Sequence, residues 1–364
     1  MDGAGHIEAL SLSFTVGTGA GILLFSLFPG PIPGAAASAV LLLMGVPLLL
    51  RERIQLWTEA RLAFLLPLLF LATGLFCGIT ASFEGLSTPS PLAALSEEAA
   101  GGLRQRIDAL GFSSPETAAL LKALLTGDRS TLSKGTVAAF RGSGASHILA
   151  LSGLHIGIIY LLLDSLTRPL GRFPLSRILR WSLVVLASGF FTLMTGAAPS
   201  IVRAFLFILI RESLLLSGRA APGERVLCLA LFFQLVLSPL SIRSVGFQLS
   251  YLAVAGIFLL YPTLESWYPS GLRHDPLRWI WKSAALSISC QLTTAPLAWY
   301  RFHAFPRHFL LTNLLALPLT SMLMGLSLLT LAWSAVAPCP GLLVRATEAA
   351  ATALIHCLEI ISGM

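Results

Sequence analysis

The sequence predicts an all-α polytopic membrane protein of about 10–11 transmembrane or membrane-embedded helices, with short amphipathic helices on its outer face. Composition is the first reason. Of 364 residues, 55% are hydrophobic and 11% are charged, and mean hydropathy is +0.83. Soluble domains carry about 25% charged residues, so this chain lacks the material for a soluble surface. Apolar runs of the roughly 20 residues needed to cross a bilayer recur along nearly the whole chain. No segment alternates over about ten residues as membrane β-barrel strands do, which leaves helices.

Spans are expected at 9–29, 34–50, 62–82, 146–164, 178–196, 199–217, 225–240, 245–262, 282–300 and 309–334. Pro31 and Pro33 separate the first two. A last apolar segment, 341–361, contains Arg345, Glu348, His356 and Glu359, so it either lies along the interface or packs inside the bundle. The N-terminal MDGAGHIEAL has no basic region before its apolar run, so the first segment is expected to stay as a span and not to be removed as a signal peptide. Residues 83–145 hold no span. Ser96-Glu97-Glu98 and Ser114-Pro115-Glu116 read as helix starts, and apolar residues recur at three and four between Arg104 and Leu125. Two or three short amphipathic helices are expected there. The organisation is therefore an N-terminal three-helix membrane segment (1–82), an extracytoplasmic helical stretch (83–145) and a membrane domain (146–364).

The formal net charge is +7. In a membrane protein this excess belongs chiefly to cytoplasmic loops. Arg51–Arg61, with three arginines, is assigned inside, which puts 83–145 outside. Arg168–Arg180, then Arg211, Arg219 and Arg225, then Arg273, Arg278 and Lys282 all fall inside on the same alternation. Arg301 and Arg307 fall outside and break the rule, so either a re-entrant piece lies nearby or those arginines have another job. The five cysteines show no metal-ligand spacing and read as small apolar packers.

Polar groups at membrane depth are costly and mark function. In SHILALSGLHIG (146–157), His147 and His155 are eight residues apart, too far along a regular helix to share one metal ion. Ser152-Gly153 is a candidate helix break. His155 then either faces a water-filled path at the break or caps a carbonyl in a packed interface. In GAAPSIVRAFLFILI (196–210), Pro199 fits a first helical turn, and Arg203 sits about one turn inside, where the helix end is already positive. Glu348 and Glu359 are its main candidate acidic partners. Without them, Arg203 suits an anion such as phosphate, and the alternative is snorkelling to outer head groups. In GFQLSYLAVAG (246–256), Gln248 and Tyr251 share a face and Ser250 lies elsewhere on the helix. Gln291, Thr294 and Asn313 are polar within apolar runs, and Pro296 should disturb its helix. Trp299 and Tyr300 read as an interface belt, and His303 and His308 as loop residues.

No Gly-rich loop ending in Gly-Lys-Ser/Thr occurs, nor a His-x-His-x-Asp-His cluster. Ser152 is not in a Gly-x-Ser-x-Gly elbow. No catalytic set, metal site or cofactor is expected, and the chain reads as a non-enzyme.

Together SHILALSGLHIGI, PSIVRA, GFQLSYLAVAGI and LTNLLALPL resemble, in order and spacing, the competence domain of ComEC-type DNA internalisation proteins, and LLTGDRSTLSKGTVAAFRGSGASHILALSGLH resembles the segment leading into it. The resemblance covers about residues 115–335. It implies an inner-membrane channel of bacteria that passes single-stranded DNA during natural transformation, with 146–364 as the channel domain. Carried over by position, the path residues are His147, Ser152, Gly153, His155, Pro199, Ser200, Arg203, Phe247, Gln248, Ser250 and Asn313, and Gln291 joins them on its chemistry. The family's outer oligonucleotide-binding barrel and its metallo-β-lactamase-like nuclease domain have no counterpart pattern here. A separate DNA receptor, nuclease and motor are therefore expected as partners beside the lipid bilayer, and a homodimer through the Gly-rich helices is compatible with the sequence. The alternatives are a permease for a smaller anion on the same scaffold, and a membrane enzyme using His155 and Ser152 as acid–base groups.

Overall fold

The computed structural model describes residues 3–27, 59–83, 91–170, 173–268, 276–303 and 306–363. Among them are fourteen α-helices: α1 (Gly3–Leu27), α2 (Glu59–Phe83), α3 (Pro91–Ala109), α4 (Pro115–Thr126), α5 (Lys134–Gly142), α6 (Ser146–Leu149), α7 (Gly153–Thr167), α8 (Pro174–Met194), α9 (Pro199–Leu216), α10 (Gly223–Leu237), α11 (Val245–Ser266), α12 (Pro276–Phe302), α13 (Phe309–Ser334) and α14 (Gly341–Ser362). Two 3-10 turns, Arg168–Leu170 and Pro239–Arg243, follow α7 and α10. The expected 34–50 span and the Arg51–Arg61 loop lie largely or wholly outside the described residues.

Five of these helices are long and apolar enough to cross a membrane: α1 over Ile7–Leu27, α8, α11, α13 and α14. The chain is a polytopic membrane protein. Leu66–Ser82 of α2 and the whole of α7 are shorter apolar helices. Helices α9, α10 and α12 form where spans are expected but carry charge. Arg203, Arg211 and Glu212 lie in α9, Glu224 and Arg225 in α10, and Arg278, Lys282 and Arg301 in α12. Hydroxyl groups at membrane depth bond back to the carbonyl a turn earlier, as Thr18 does to Phe14 and Ser327 to Leu323, which satisfies them without a partner helix.

Two further expectations change. α3 starts at Pro91, not at Ser96, because proline at a first turn sets the helical φ without needing an N–H partner. The Ser96 hydroxyl reaches the Met194 carbonyl instead. α12 runs unbroken through Pro296, as membrane helices often do. Ser114, by contrast, stands at the N-cap position of α4 with Pro115 in the first turn, where the sequence indicates a helix start, though its side chain makes no capping bond.

By contacts the chain divides into two compact units, Met1–Ser90 with Phe205–Phe247, and Pro91–Ala204 with Gln248–Met364. In the first, α1 and α2 pack along their length. The cause is a pair of Gly-xxx-Gly motifs, Gly17/Gly21 and Gly74/Gly78. A Cβ at Gly17 would sit on the Leu71 carbonyl oxygen, and one at Gly74 on that of Phe14. Only glycine permits this backbone approach. Phe232 of α10 closes the unit, edge-on to Phe14 at 4.9 Å and tilted against Phe70 at 5.6 Å.

The second unit is built on α13 and α14. α14 turns Thr347, Ala350, Ala351, Leu354, Leu358 and Ile361 inward, so it packs within the unit. α4 presents Leu120, Leu121, Leu124 and Leu125 to the same core as Leu323, Met324 and Leu354. The short helices expected in 83–145 form, and α4 is far more deeply buried than its amphipathic pattern indicates.

Gly74→Leu is expected to force α1 and α2 apart and to destabilise the protein by about 1–3 kcal/mol, the usual range for overpacking. Thermal unfolding in detergent checks this. An unchanged melting temperature would contradict the packing.

Candidate functional site

The apolar segment that begins at Ser146 does break. α6 ends at Leu149, α7 begins at Gly153, and Ala150 and Ser152 are extended. Three contacts hold the break. The Ser200 hydroxyl donates to the Leu151 carbonyl at 2.6 Å. The Arg129 guanidinium donates to the Leu149 carbonyl at 2.7 Å. The Leu151 side chain packs on Gly127, whose φ of +80° is the left-handed cap of α4 and leaves no room for a Cβ. His155 closes the first turn of α7. Its Nδ1 accepts from the Ser152 N–H at 3.3 Å and lies 3.0 Å from the Ser152 hydroxyl, the part a Glu or Gln takes in a capping box. The ring is 1% exposed, and its Nε2 has no hydrogen-bond partner among the described residues.

Arg203 lies beside this turn. A Cβ on Gly153 would stand 3.3 Å from its Nη2, so glycine makes room for the guanidinium. Nη1 donates to the backbone carbonyl of Ser250, and the cation lies 5.7 Å from the centroid of the Tyr251 ring, an attractive cation–π distance. No carboxylate comes within ion-pair distance among the described residues. Glu348 instead accepts from the Ser114 N–H at 2.7 Å, and Glu359 pairs with His356 at 3.2 Å. Asp164 is taken by Arg168 and Arg180. Arg203 therefore has neither expected acid, and the Ser200–Leu151 bond brings the N-terminus of α9 to the break ahead of α7. Two positive helix ends and a guanidinium therefore converge at the break.

Of the residues singled out from sequence, Ser152, Gly153, His155, Ser200, Arg203 and Ser250 share this site. Ser250 takes part through its backbone carbonyl. Pro199 opens α9. Gln248 lies half-buried one turn before Tyr251 on α11, and Phe247 is buried. His147 is exposed, with Nδ1 3.2 Å from the Gly144 carbonyl. Gln291 is half-buried on α12, beside Cys290, whose Sγ approaches the Ala253 carbonyl at 3.8 Å. Asn313 on α13 keeps a buried Oδ1 without a partner among the described residues. All five cysteines are free.

Arg129 is the residue that motif reading passes over. Its signal is local. In Gly127-Asp128-Arg129-Ser130, Asp128 Oδ1 accepts from the Ser130 N–H at 2.9 Å and its hydroxyl at 2.6 Å, an Asx turn. These bonds, with Arg104 at 3.2 Å, hold the Asp128 carboxyl below its ordinary range.

A family model described as "Competence: Competence protein" matches residues 124–364. The chain is 28% identical to ComE operon protein 3 of Bacillus subtilis over 204 residues, 56% of this chain and 25% of that protein. It is 29% identical to Competence protein ComA of Neisseria gonorrhoeae over 205 residues, 55% and 28% of the two chains. It is 28% identical to Recombination protein 2 of Haemophilus influenzae over 213 residues, 56% and 27%. The match thus spans about a quarter of the length of these relatives. No solved structure matches.

Arg129→Ala removes a charged hydrogen bond worth about 1.5–3 kcal/mol, so amide exchange across 150–156 should speed up by roughly tenfold to a hundredfold. Exchange unchanged from wild type would mean that the break holds itself. The depressed carboxyl sets the sign with pH. Its stabilisation is complete above the unfolded value of about 3.9 and is lost as pH falls through the lower folded value. Protection of the 127–131 turn should therefore drop on acidification below about pH 4, and Asp128→Asn should abolish that dependence.

Proposed function

Because the chain belongs to the competence protein family, we propose that it forms a path for single-stranded DNA across the cytoplasmic membrane of a bacterium during natural transformation. The observation that carries this reading is Arg203, a cation within an apolar bundle, beside two positive helix ends, with no carboxylate in reach among the described residues. A charged side chain among apolar helices is costly to hold and marks function. A DNA backbone is a repeating anion, and a wall that passes it needs cations and hydrogen-bond donors. Ser152, Gly153, His155, Ser200 and Ser250 form that wall with Arg203 in this reading, and His147, Gln248, Gln291 and Asn313 extend it. The segments around the break move apart to admit a strand. No residue takes a catalytic role. DNA capture, strand degradation and the driving force belong to a separate receptor, nuclease and motor.

The tightness of the packing favours a second reading. With Arg203 Nη2 only 3.3 Å from a Cβ position on Gly153, a smaller anion fits the same charge arrangement without a large opening, which suits a permease.

The test is entry of fluorescent single-stranded DNA into proteoliposomes, scored by protection from added nuclease. Arg203→Ala should lower the protected fraction at least about tenfold, equivalent to ~1.4 kcal/mol, and His155→Ala should lower it too. No DNA entry, together with small-anion efflux that depends on Arg203, would establish the second reading. DNA entry indifferent to Arg203 would remove the observation on which the first one stands.

A further inference from the structure

The fold uses one nitrogen of the His155 ring and leaves the other without a partner among the described residues. Nδ1 faces the Ser152 N–H at 3.3 Å and the Ser152 hydroxyl at 3.0 Å. A backbone N–H can only donate, so Nδ1 must offer its lone pair. A proton on Nδ1 would meet the Ser152 proton head-on. An imidazole with one bare nitrogen is neutral and carries its single proton on the other. His155 is therefore a neutral ring with the proton on Nε2, and Nε2–H can act only as a donor.

That donor is deeply buried, with the residue only 1% exposed. Helices α8 and α13 pack on α7, and neither brings Nε2 an acceptor. Ser188 Oγ on α8 and Asn313 Oδ1 on α13 are buried and themselves without a hydrogen-bond partner among the described residues. Folded proteins pair nearly all their buried polar groups, because an unmade bond forfeits hydration with nothing gained. The ring also has a fixed place. Its Nδ1 reaches back to the N-cap, so Nε2 lies at the first turn of α7. The same turn borders Arg203, since a Cβ on Gly153 would stand 3.3 Å from Nη2. The N-terminus of α9 joins it through the Ser200–Leu151 bond.

A guanidinium and two positive helix ends attract any anion and select none. A buried neutral N–H adds selection, because it is satisfied only by an acceptor atom brought up to it. A phosphodiester has two unesterified oxygens that share one charge, so one can meet the guanidinium while the other accepts from Nε2–H. We infer that His155 binds the phosphate oxyanion of the ligand as a neutral donor through Nε2–H, beside Arg203 as the cation. The inference rests on the anion path proposed above and adds the chemistry by which the break recognises phosphate.

The experiment uses the whole protein in maltoside detergent, which brings no phosphate of its own. The histidine ring nitrogens are isotope-labelled and observed by NMR. The His155 signals are assigned by their loss in His155→Gln, which supplies the usual capping-box residue. The wild type should show a bare Nδ1 and a protonated Nε2, and the Nε2–H signal should move when inorganic phosphate or an oligothymidylate is added. Binding of a fluorescent oligothymidylate is then measured by anisotropy over a range of salt. His155→Asn puts a carbonyl oxygen where Nδ1 stands, so it keeps the bond to the Ser152 N–H and loses the Nε2 donor. Its Kd should rise about tenfold to a hundredfold, the worth of one hydrogen bond to a charged group. Its slope of log affinity against log salt should match wild type, because a neutral donor releases no counterion. Arg203→Ala should flatten that slope by roughly 0.7. A proton on Nδ1, wild-type affinity in His155→Asn, or a slope flattened as in Arg203→Ala would each overturn the inference. So would an Nε2–H signal that neither ligand moves, which would make the ring a cap and nothing more. The two readings fail separately. A signal moved by inorganic phosphate, with no binding of the oligothymidylate, would keep the donor and sink the DNA path. Oligothymidylate binding that needs Arg203 but not His155 would sink the donor alone.

Discussion

The candidate site depends on one unusual interaction, a guanidinium that spends its hydrogen bond on a backbone carbonyl. Arg203 donates to Ser250 and lies over Tyr251, so α9 is tied to α11 without a carboxylate between them. An arginine–carboxylate pair at this depth would neutralise itself and leave nothing for a ligand. A carbonyl carries only a partial charge, so most of the positive field survives. Gly153 leaves room for the cation, since a Cβ there would stand 3.3 Å from Nη2. The Ser200–Leu151 bond then places the start of α9 against the break, which adds a second positive end to the field.

The break itself is held from outside as well as from within. Leu149 and Leu151 each surrender a carbonyl that a continuous helix would have used, and Arg129 and Ser200 take them up. Arg129 projects from the turn after α4, and α4 is anchored by Leu120, Leu121, Leu124 and Leu125 in the core of its unit. That turn therefore touches the break through one hydrogen bond and through the Leu151–Gly127 packing. The Asp128 turn, fixed by Ser130 and Arg104, keeps Arg129 aimed.

Much of this was legible in the sequence. The 309–334 helix falls where its apolar run places it, because a run of that length has one way to satisfy its backbone in lipid. The Ser152-Gly153 break could be read from residue type, and so could the odd placement of Arg203. What could not be read is which partners meet. Glu348 and Glu359 were reasonable acids for Arg203, yet they bind Ser114 N–H and His356, because pairing is set by helix packing and not by composition. Periodicity gave α4 one apolar face but not the depth of its burial. Pro91 and Pro296 show the two sides of one residue: it starts α3 earlier than Ser96 indicates and leaves α12 intact.

The most direct test of the account is thiol labelling along the break during DNA uptake. With the five native cysteines replaced, single cysteines are placed at Leu151, Ser152 and Gly157 and, as a lipid-facing control, at the exposed Leu161 of α7. A membrane-impermeant maleimide is applied with and without a DNA strand arrested in transit. The account predicts labelling at Leu151 and Ser152 that the arrested strand blocks, and none at Leu161. Labelling of Leu151 and Ser152 that is absent, or indifferent to the strand, would contradict it.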